Sequence, residues 1–231
     1  VILKRAKFKG EEVCIGIICD GMGGLSCGEL ASKSIAEAFS DWFLYSYSKY
    51  ESIWDESRMR EDIGSIISSE NEGLLYYGKE HGIYLGTTIT AFLLAGNRFF
   101  VWHVGDSRLY KIYSSKIERL TNDHTVIAKE VAEGRLTEKE AKNDPKRNVL
   151  LQCIGASERV KPDMFCGEVK KGDILLLCSD GFRHEISEKE MLSLLGRCES
   201  NKLNEMIKRL ISLNLRRNEQ DNISAALVKV Q

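Results

Sequence analysis

Between residues 86 and 120 the chain has little choice of architecture. β-Branched and aromatic residues dominate the stretch, and turns at Gly96-Asn97 and Ser114-Ser115 divide it into three or four strands. Connections this short join antiparallel neighbours, because a parallel return needs a crossover of a dozen or more residues. An antiparallel meander is therefore the fixed point around which the other elements must fit.

Residues 12–19 read as a buried strand. Two helical stretches follow: 29–45, with Leu30, Ile35, Ala38, Phe39 and Trp42 at helical spacing, and 60–78, with Ile63, Ile66, Ile67 and Leu74. Beyond the meander, residues 123–153 are charged and helical, and Thr137 to Glu140 fits a capping box that starts a short helix. This segment reads as a surface insertion. Residues 173–178 are strand-like, and a second capping box, Ser187 to Glu190, opens another helix. Leu203, Met206, Ile207, Leu210 and Ile211 mark a long amphipathic helix before a last strand over 223–230. With two prolines, no low-complexity tract and no fixed repeat, nothing reads as a linker, and residues 1–231 are expected to form one domain. Helix pairs separated by meanders predict an α+β fold: a four-layer αββα sandwich of two antiparallel sheets flanked by helix pairs.

Charge excludes some partners. Thirty-three basic and 34 acidic residues give a net charge of -1, so no overall field draws the chain to nucleic acid or to an anionic membrane. No apolar run approaches the roughly 20 residues that span a bilayer, and the N-terminal stretch has no secretory apolar region. The seven cysteines form no C-x-x-C pair, and Cys14, Cys19 and Cys178 sit inside apolar runs, where a thiol packs as a small hydrophobe. A reduced, cytoplasmic monomer is the expectation.

Four apolar runs border an aspartate beside Gly, Ser or Asn: ICDGMGG at 18–24, HVGDSR at 103–108, CSDGF at 178–182 and EQDNIS at 219–224. Singly, each aspartate is an ordinary turn former or helix cap. Together, Asp20, Asp106, Asp180 and Asp221 put four carboxylates at strand ends, where they would repel one another unless solvent or a cation intervened. Hard divalent ions such as Mg²⁺ or Mn²⁺ take such oxygen donors. Glycines 21, 23 and 24, lacking Cβ, would let backbone carbonyls and a substrate come close, although a tight turn before the helix explains them equally. There is no G-x-x-x-x-G-K-[ST] run, which argues against an NTPase. The histidines at 81, 103, 124 and 184 show neither H-x-H nor H-E-x-x-H spacing, which argues against a zinc site; His103 and His124 are expected to act through hydrogen bonds.

DGMGG, Gly86-Thr87-Thr88, HVGDSRLY, TNDH, SDGF and DNIS occur in the order found in bacterial PPM (type 2C) protein phosphatases, and the resemblance spans nearly the whole chain. It implies a metal-dependent serine/threonine phosphatase acting on phosphorylated proteins, the targets of a serine/threonine kinase. By the same resemblance, Asp20 bridges two Mn²⁺ or Mg²⁺ ions, the Gly21 carbonyl binds one, Asp180 and Asp221 complete the pair, and Asp106 helps hold a third, looser ion. The implied chemistry, in which Asp20, Asp180 and Asp221 are catalytic, is in-line attack on phosphorus by a hydroxide bridging the two ions.

Two departures stand out. Such phosphatases carry, before the point where this chain begins, an arginine that grips phosphate and an Asn-acidic-Asp segment. Residues 1–10 read as the continuation of an interrupted strand, so that segment is expected to be omitted rather than lost. Eukaryotic relatives also have a histidine, their general acid, where Met22 stands, and bacterial-type members share its absence. The resemblance further places 123–153 where related enzymes carry a flap. The competing reading is a catalytically silent module of the same fold that binds a partner or senses a signal. Retention of all four aspartates speaks for the enzyme.

Overall fold

The computed structural model describes residues 1–22, 25–141 and 144–231. Gly23 and Gly24, two of the three glycines expected to open the approach to Asp20, lie outside the described residues. The chain begins with a hairpin of β1 (Ile2–Phe8) and β2 (Glu11–Ile18). Its two-residue turn, Lys9 (φ 49°) and Gly10 (φ 87°), has the positive-φ pair that matches strand twist. A two-residue strand, β3 (Gly21–Met22), leads to α1 (Leu25–Asp41), which continues through a π turn at Trp42–Ser46 and a 3-10 turn at Tyr47–Lys49. Next comes α2 (Glu56–His81), started by the Asp55 carboxylate accepting from the Arg58 N–H and stopped by left-handed Gly82.

The meander then runs through β4 (Gly86–Thr87), β5 (Ile89–Ala95), β6 (Arg98–Val104), β7 (Arg108–Tyr113) and β8 (Lys116–Arg119). Both expected turns are present, with Gly96 at φ 56° and Ser114 at φ 53°. Two short helices, α3 (Val126–Ala132) and α4 (Glu138–Ala141), precede β9 (Asp163–Glu168). The chain closes with β10 (Ile174–Cys178), α5 (Asp180–Arg183), α6 (Glu188–Leu195), a 3-10 turn at Ser200–Lys202, α7 (Leu203–Arg216) and β11 (Ala225–Lys229).

The strands divide into a five-stranded sheet ordered β1-β2-β5-β6-β9, a four-stranded sheet ordered β11-β10-β7-β8, and the small pair β3-β4. All pairings are antiparallel. The meander thus changes sheets between β6 and β7. Side-chain alternation gives each sheet two apolar faces, and the buried residues fall into three layers. In the first, Ile35 and Phe39 of α1 and Ile63 and Ile67 of α2 pack against Ile15, Ala91 and Trp102. Phe92, Phe99 and Val101 meet Leu109, Leu175 and Leu177 in the second, and in the third Tyr110 and Leu176 pack against Met191 and Leu195 of α6 and Leu210 of α7. Three apolar layers need four layers of structure, and the αββα sandwich follows.

On the inner face of the larger sheet two aromatic rings lie over cross-strand glycines. A Cβ at Gly16 would meet the Phe92 ring at 2.4 Å, and one at Gly167 would meet Phe99 at 2.4 Å. Expectation and structure differ at three elements. Leu30 lies off the buried stripe of its helix, 41% exposed. Helix α2 is longer than residues 60–78 because Asp55 and Gly82, not the apolar pattern, set its ends. Strand β9 had no counterpart in the sequence pattern: it is an edge strand with exposed acidic residues at both ends and Gly167 inside. Of the three cysteines expected to pack, Cys14 and Cys178 are buried and Cys19 is half-buried; burial pushes the Cys14 and Cys178 thiols up to about 11 and about 12, which leaves them inert packing groups.

Candidate metal centre

Strand register gathers the four aspartates. Ile18 of β2 pairs with Thr90 of β5, and Ile89 pairs with Val104 of β6, so the chain beyond these pairs, at Asp20 and Asp106, leaves the larger sheet at one rim. In the smaller sheet Cys178 of β10 pairs with Arg108 of β7 and Ala225 of β11, which brings Asp106, Asp180 and Asp221 to the same rim.

Each carboxylate stands on a tied backbone. The Asp20 N–H donates to Thr88 Oγ1 (3.0 Å), and its carbonyl accepts from the Thr88 N–H (2.9 Å) and the Thr87 hydroxyl (3.0 Å). Gly86-Thr87-Thr88 is therefore a clamp on Asp20. Next to it, a Cβ on Gly21 would lie 2.0 Å from the carbonyl oxygen of Gly28, so only glycine lets this turn pack backbone to backbone on α1. Across the rim, Ser179 donates to the Asn222 carbonyl (3.1 Å) and accepts from the Ser224 N–H (3.1 Å), binding the Asp180 turn to the Asp221 loop. Asp180 Oδ1 accepts from the Gly181 N–H and Asp221 Oδ1 from the Asn222 N–H, both at 2.7 Å.

The electrostatics show carboxylates under mutual pressure. Burial, then Asp180, then Asp221 and Asp106 push the Asp20 carboxyl up to about 8. Burial pushes Asp106 up to about 6, against the pull of Arg183. Ligand atoms of Asp180, His184 and Asp221 lie within 4.8 Å of one another. A carboxylate-rich donor set crowded enough to hold a proton near neutrality fits a hard divalent cation, which would relieve that repulsion.

Several residues at this rim were not singled out from the sequence. His184 stands with its Nε2 3.4 Å from Asp180 Oδ2 and its Nδ1 3.4 Å from Glu219 Oε2. Motif spacing gave histidine no part in ion binding, yet this imidazole lies among the candidate ligands. The available signal was its position four residues after Asp180 on a helical turn. Glu219 also accepts from the Asp221 N–H (2.9 Å). Arg183, on the same turn, reaches the Asp106 carbonyl (3.1 Å) and Asp106 Oδ2 (3.4 Å), and lies 3.6 Å from Asp123 Oδ2. Arg108 grips Asp123 through two bonds of 2.8 and 2.5 Å. Burial alone would raise Asp123, but Arg108 and Arg183 hold its carboxyl below the usual range. His103 bears out its hydrogen-bonding role: it is fully buried, Nε2 is 2.9 Å from the Asn122 carbonyl, and Nδ1 is 2.9 Å from the Thr90 hydroxyl.

Known proteins are similar to this chain over most of its length. A protein of Streptococcus pyogenes described as a putative protein phosphatase 2C-type is 32% identical over 225 residues, covering 96% of this chain and 88% of that one. The solved serine/threonine phosphatase of S. agalactiae superposes with a TM-score of 0.86 at 30% identity, over 100% of this chain and 92% of that one. The catalytic domain of the serine/threonine protein phosphatase PstP, solved in complex with two manganese ions, superposes with a TM-score of 0.78 at 27% identity, over 100% and 96%. The family model for protein phosphatase 2C matches residues 4–230. With its sandwich of two antiparallel sheets and its rim of aspartates, the chain belongs to the protein phosphatase 2C family and is a serine/threonine protein phosphatase of the bacterial PPM type.

Proposed function

We propose that this chain hydrolyses phosphoserine and phosphothreonine in proteins with two divalent cations, Mn²⁺ or Mg²⁺, held by Asp20, the Gly21 carbonyl, Asp180 and Asp221. The observation that carries the reading is the convergence of carboxylates from both sheets, under enough mutual repulsion to push Asp20 up to about 8. Bound there, such ions would supply charge for the phosphate oxygens and an activated water for in-line attack on phosphorus.

The protein's own part is preorganisation. Thr87 and Thr88 fix the Asp20 backbone, and the Gly21–Gly28 approach fixes the direction of the neighbouring carbonyl. Ser179 holds the Asp180 and Asp221 turns at one spacing, so the donors need no rearrangement to receive an ion. Residues 1–231 act as one catalytic unit, with 123–153 as a flap over the site. The substrates are targets of a serine/threonine kinase, and the enzyme works as a cytoplasmic monomer. No helix among the described residues is long and apolar enough to cross a membrane.

The test is Mn²⁺-dependent hydrolysis of a phosphothreonine peptide and of p-nitrophenyl phosphate by the chain and by Asp180→Asn. Turnover that requires the ion and falls to background in the variant is expected. An ion-binding protein with no turnover on either substrate would sink the enzyme reading and favour a silent partner-binding module.

A further inference from the structure

The Asp106 side of the rim is already neutralised from within the protein. Asp106 is 7% exposed, and a single nitrogen, Arg183 Nη2, lies 3.1 Å from its carbonyl oxygen and 3.4 Å from Oδ2. The same nitrogen is 3.6 Å from Asp123 Oδ2, and Asp123 is gripped on its other side by both arms of Arg108. Two carboxylates, Asp106 and Asp123, thus face two guanidiniums, Arg108 and Arg183, and all four side chains are at most 16% exposed. A buried network closed in this way has no net charge to attract a further cation.

Arg183 is not there to complete a hydrogen-bond pattern. Its Nε–H is buried without a partner, a cost the fold accepts in order to keep the guanidinium against Asp106. Its position on α5, three residues after Asp180, puts a fixed positive charge beside the carboxylate that would otherwise share an ion with its neighbours. A divalent cation at Asp106 would have to displace the guanidinium or sit against it, and like charges at that range in a poorly solvated site repel strongly.

We infer that Arg183 is the built-in counter-cation of Asp106, taking the place of a third metal ion, so that this protein saturates at two ions. The inference rests on the two-ion reading above, and the experiment separates them. Mn²⁺ is titrated into the whole chain, and bound ions are counted from the electron paramagnetic resonance signal of the free aquo ion. The comparison includes Asp106→Asn, Arg183→Gln, the double variant and Asp180→Asn. Equal counts are expected for the unsubstituted chain and Asp106→Asn. Arg183→Gln should gain one ion, and the double variant should lose it again.

A count that drops by one in Asp106→Asn alone overturns the inference, as does an Arg183→Gln variant that gains no ion. Should Arg183→Gln fail to fold by circular dichroism, the first comparison still decides, since it needs no change at Arg183. An unsubstituted chain that binds no ion, or a count unaffected by Asp180→Asn, sinks the two-ion reading instead. The gain between Arg183→Gln and the double variant continues to test Arg183 in that case.

Discussion

His103 shows how a polar residue near the rim is turned to structural use. Its ring is closed off from solvent between Thr90 and the Asn122 carbonyl, with the His124 ring tilted against it at 4.7 Å between centroids. Burial, reinforced by His124, lowers its pKa to about 4 from an ordinary value of 6.5. Between those values the unfolded chain binds a proton that the native one does not, so stability is full above pH 6.5 and falls as pH drops toward 4. At pH 5 the loss amounts to about 2 kcal/mol from this group. Urea unfolding at pH 7 and pH 5 should show His103→Asn losing less on acidification than the parent, and equal losses would discount the group. At this scale the sequence was informative about anions and poor on their partners. Asp20, Asp106 and Asp180 were legible because each ends an apolar run, and Asp221 because it precedes one, which fixes their places beside a sheet. Arg183, His184 and Glu219 depend on where a side chain turns once the backbone has left the strand, and no periodicity encodes that.

Among the elements, those that carry the site are braced by polar residues in the helix cores. Asn71 on α2 donates to the Ser157 carbonyl (3.0 Å) and accepts from the Gly155 N–H (2.7 Å). The loop it holds pairs through Ile154 with Thr87, which in turn holds Asp20. Asn214 on α7 likewise donates to the Phe182 carbonyl (2.8 Å), steadying the turn that bears Asp180. Apolar spacing located both helices but gave no hint of these contacts, because a lone Asn in a helix reads as surface. The segment 123–153 is pinched at its base: Val126 N–H donates to the Val149 carbonyl (2.9 Å) and Leu151 N–H to that of His124 (2.7 Å). His124 N–H in turn donates to the carbonyl of Gly105, the neighbour of Asp106 (2.7 Å). A segment closed at its neck can be removed without opening the sheets. Replacing residues 127–148 by two glycines should change kcat/KM for a phosphopeptide several-fold more than for p-nitrophenyl phosphate. Equal effects on both would mean that the segment does not meet the peptide.

For the whole molecule, the four-layer plan was readable because alternation within strands and helical spacing outside them leave few ways to bury every apolar face. The change of sheet between β6 and β7 was not, since the turn that makes it looks like any other in the meander. The plan also implies a tension. Four carboxylates collected at one rim lower the stability of the ion-free fold, so Asp20→Asn should unfold a few degrees higher than the parent in EDTA. Mn²⁺ should raise the parent's midpoint and the variant's much less, because an ion that binds only the folded state stabilises it by mass action. A variant that unfolds lower in EDTA would mean that Asp20 contributes more through its hydrogen bonds than it costs by repulsion.

The rings of Phe92 and Phe99, packed over Gly16 and Gly167, bear on a distance far from themselves. They set how thick the layer between the two sheets is. Asp20 hangs from one sheet, while Asp180 and Asp221 hang from the other. The sandwich therefore acts as a clamp with a fixed gap, and the gap is chosen in the dry interior. A side chain added at position 16 would wedge the jaws apart, so that a change touching no ligand would be felt as a change in which ion fits between them.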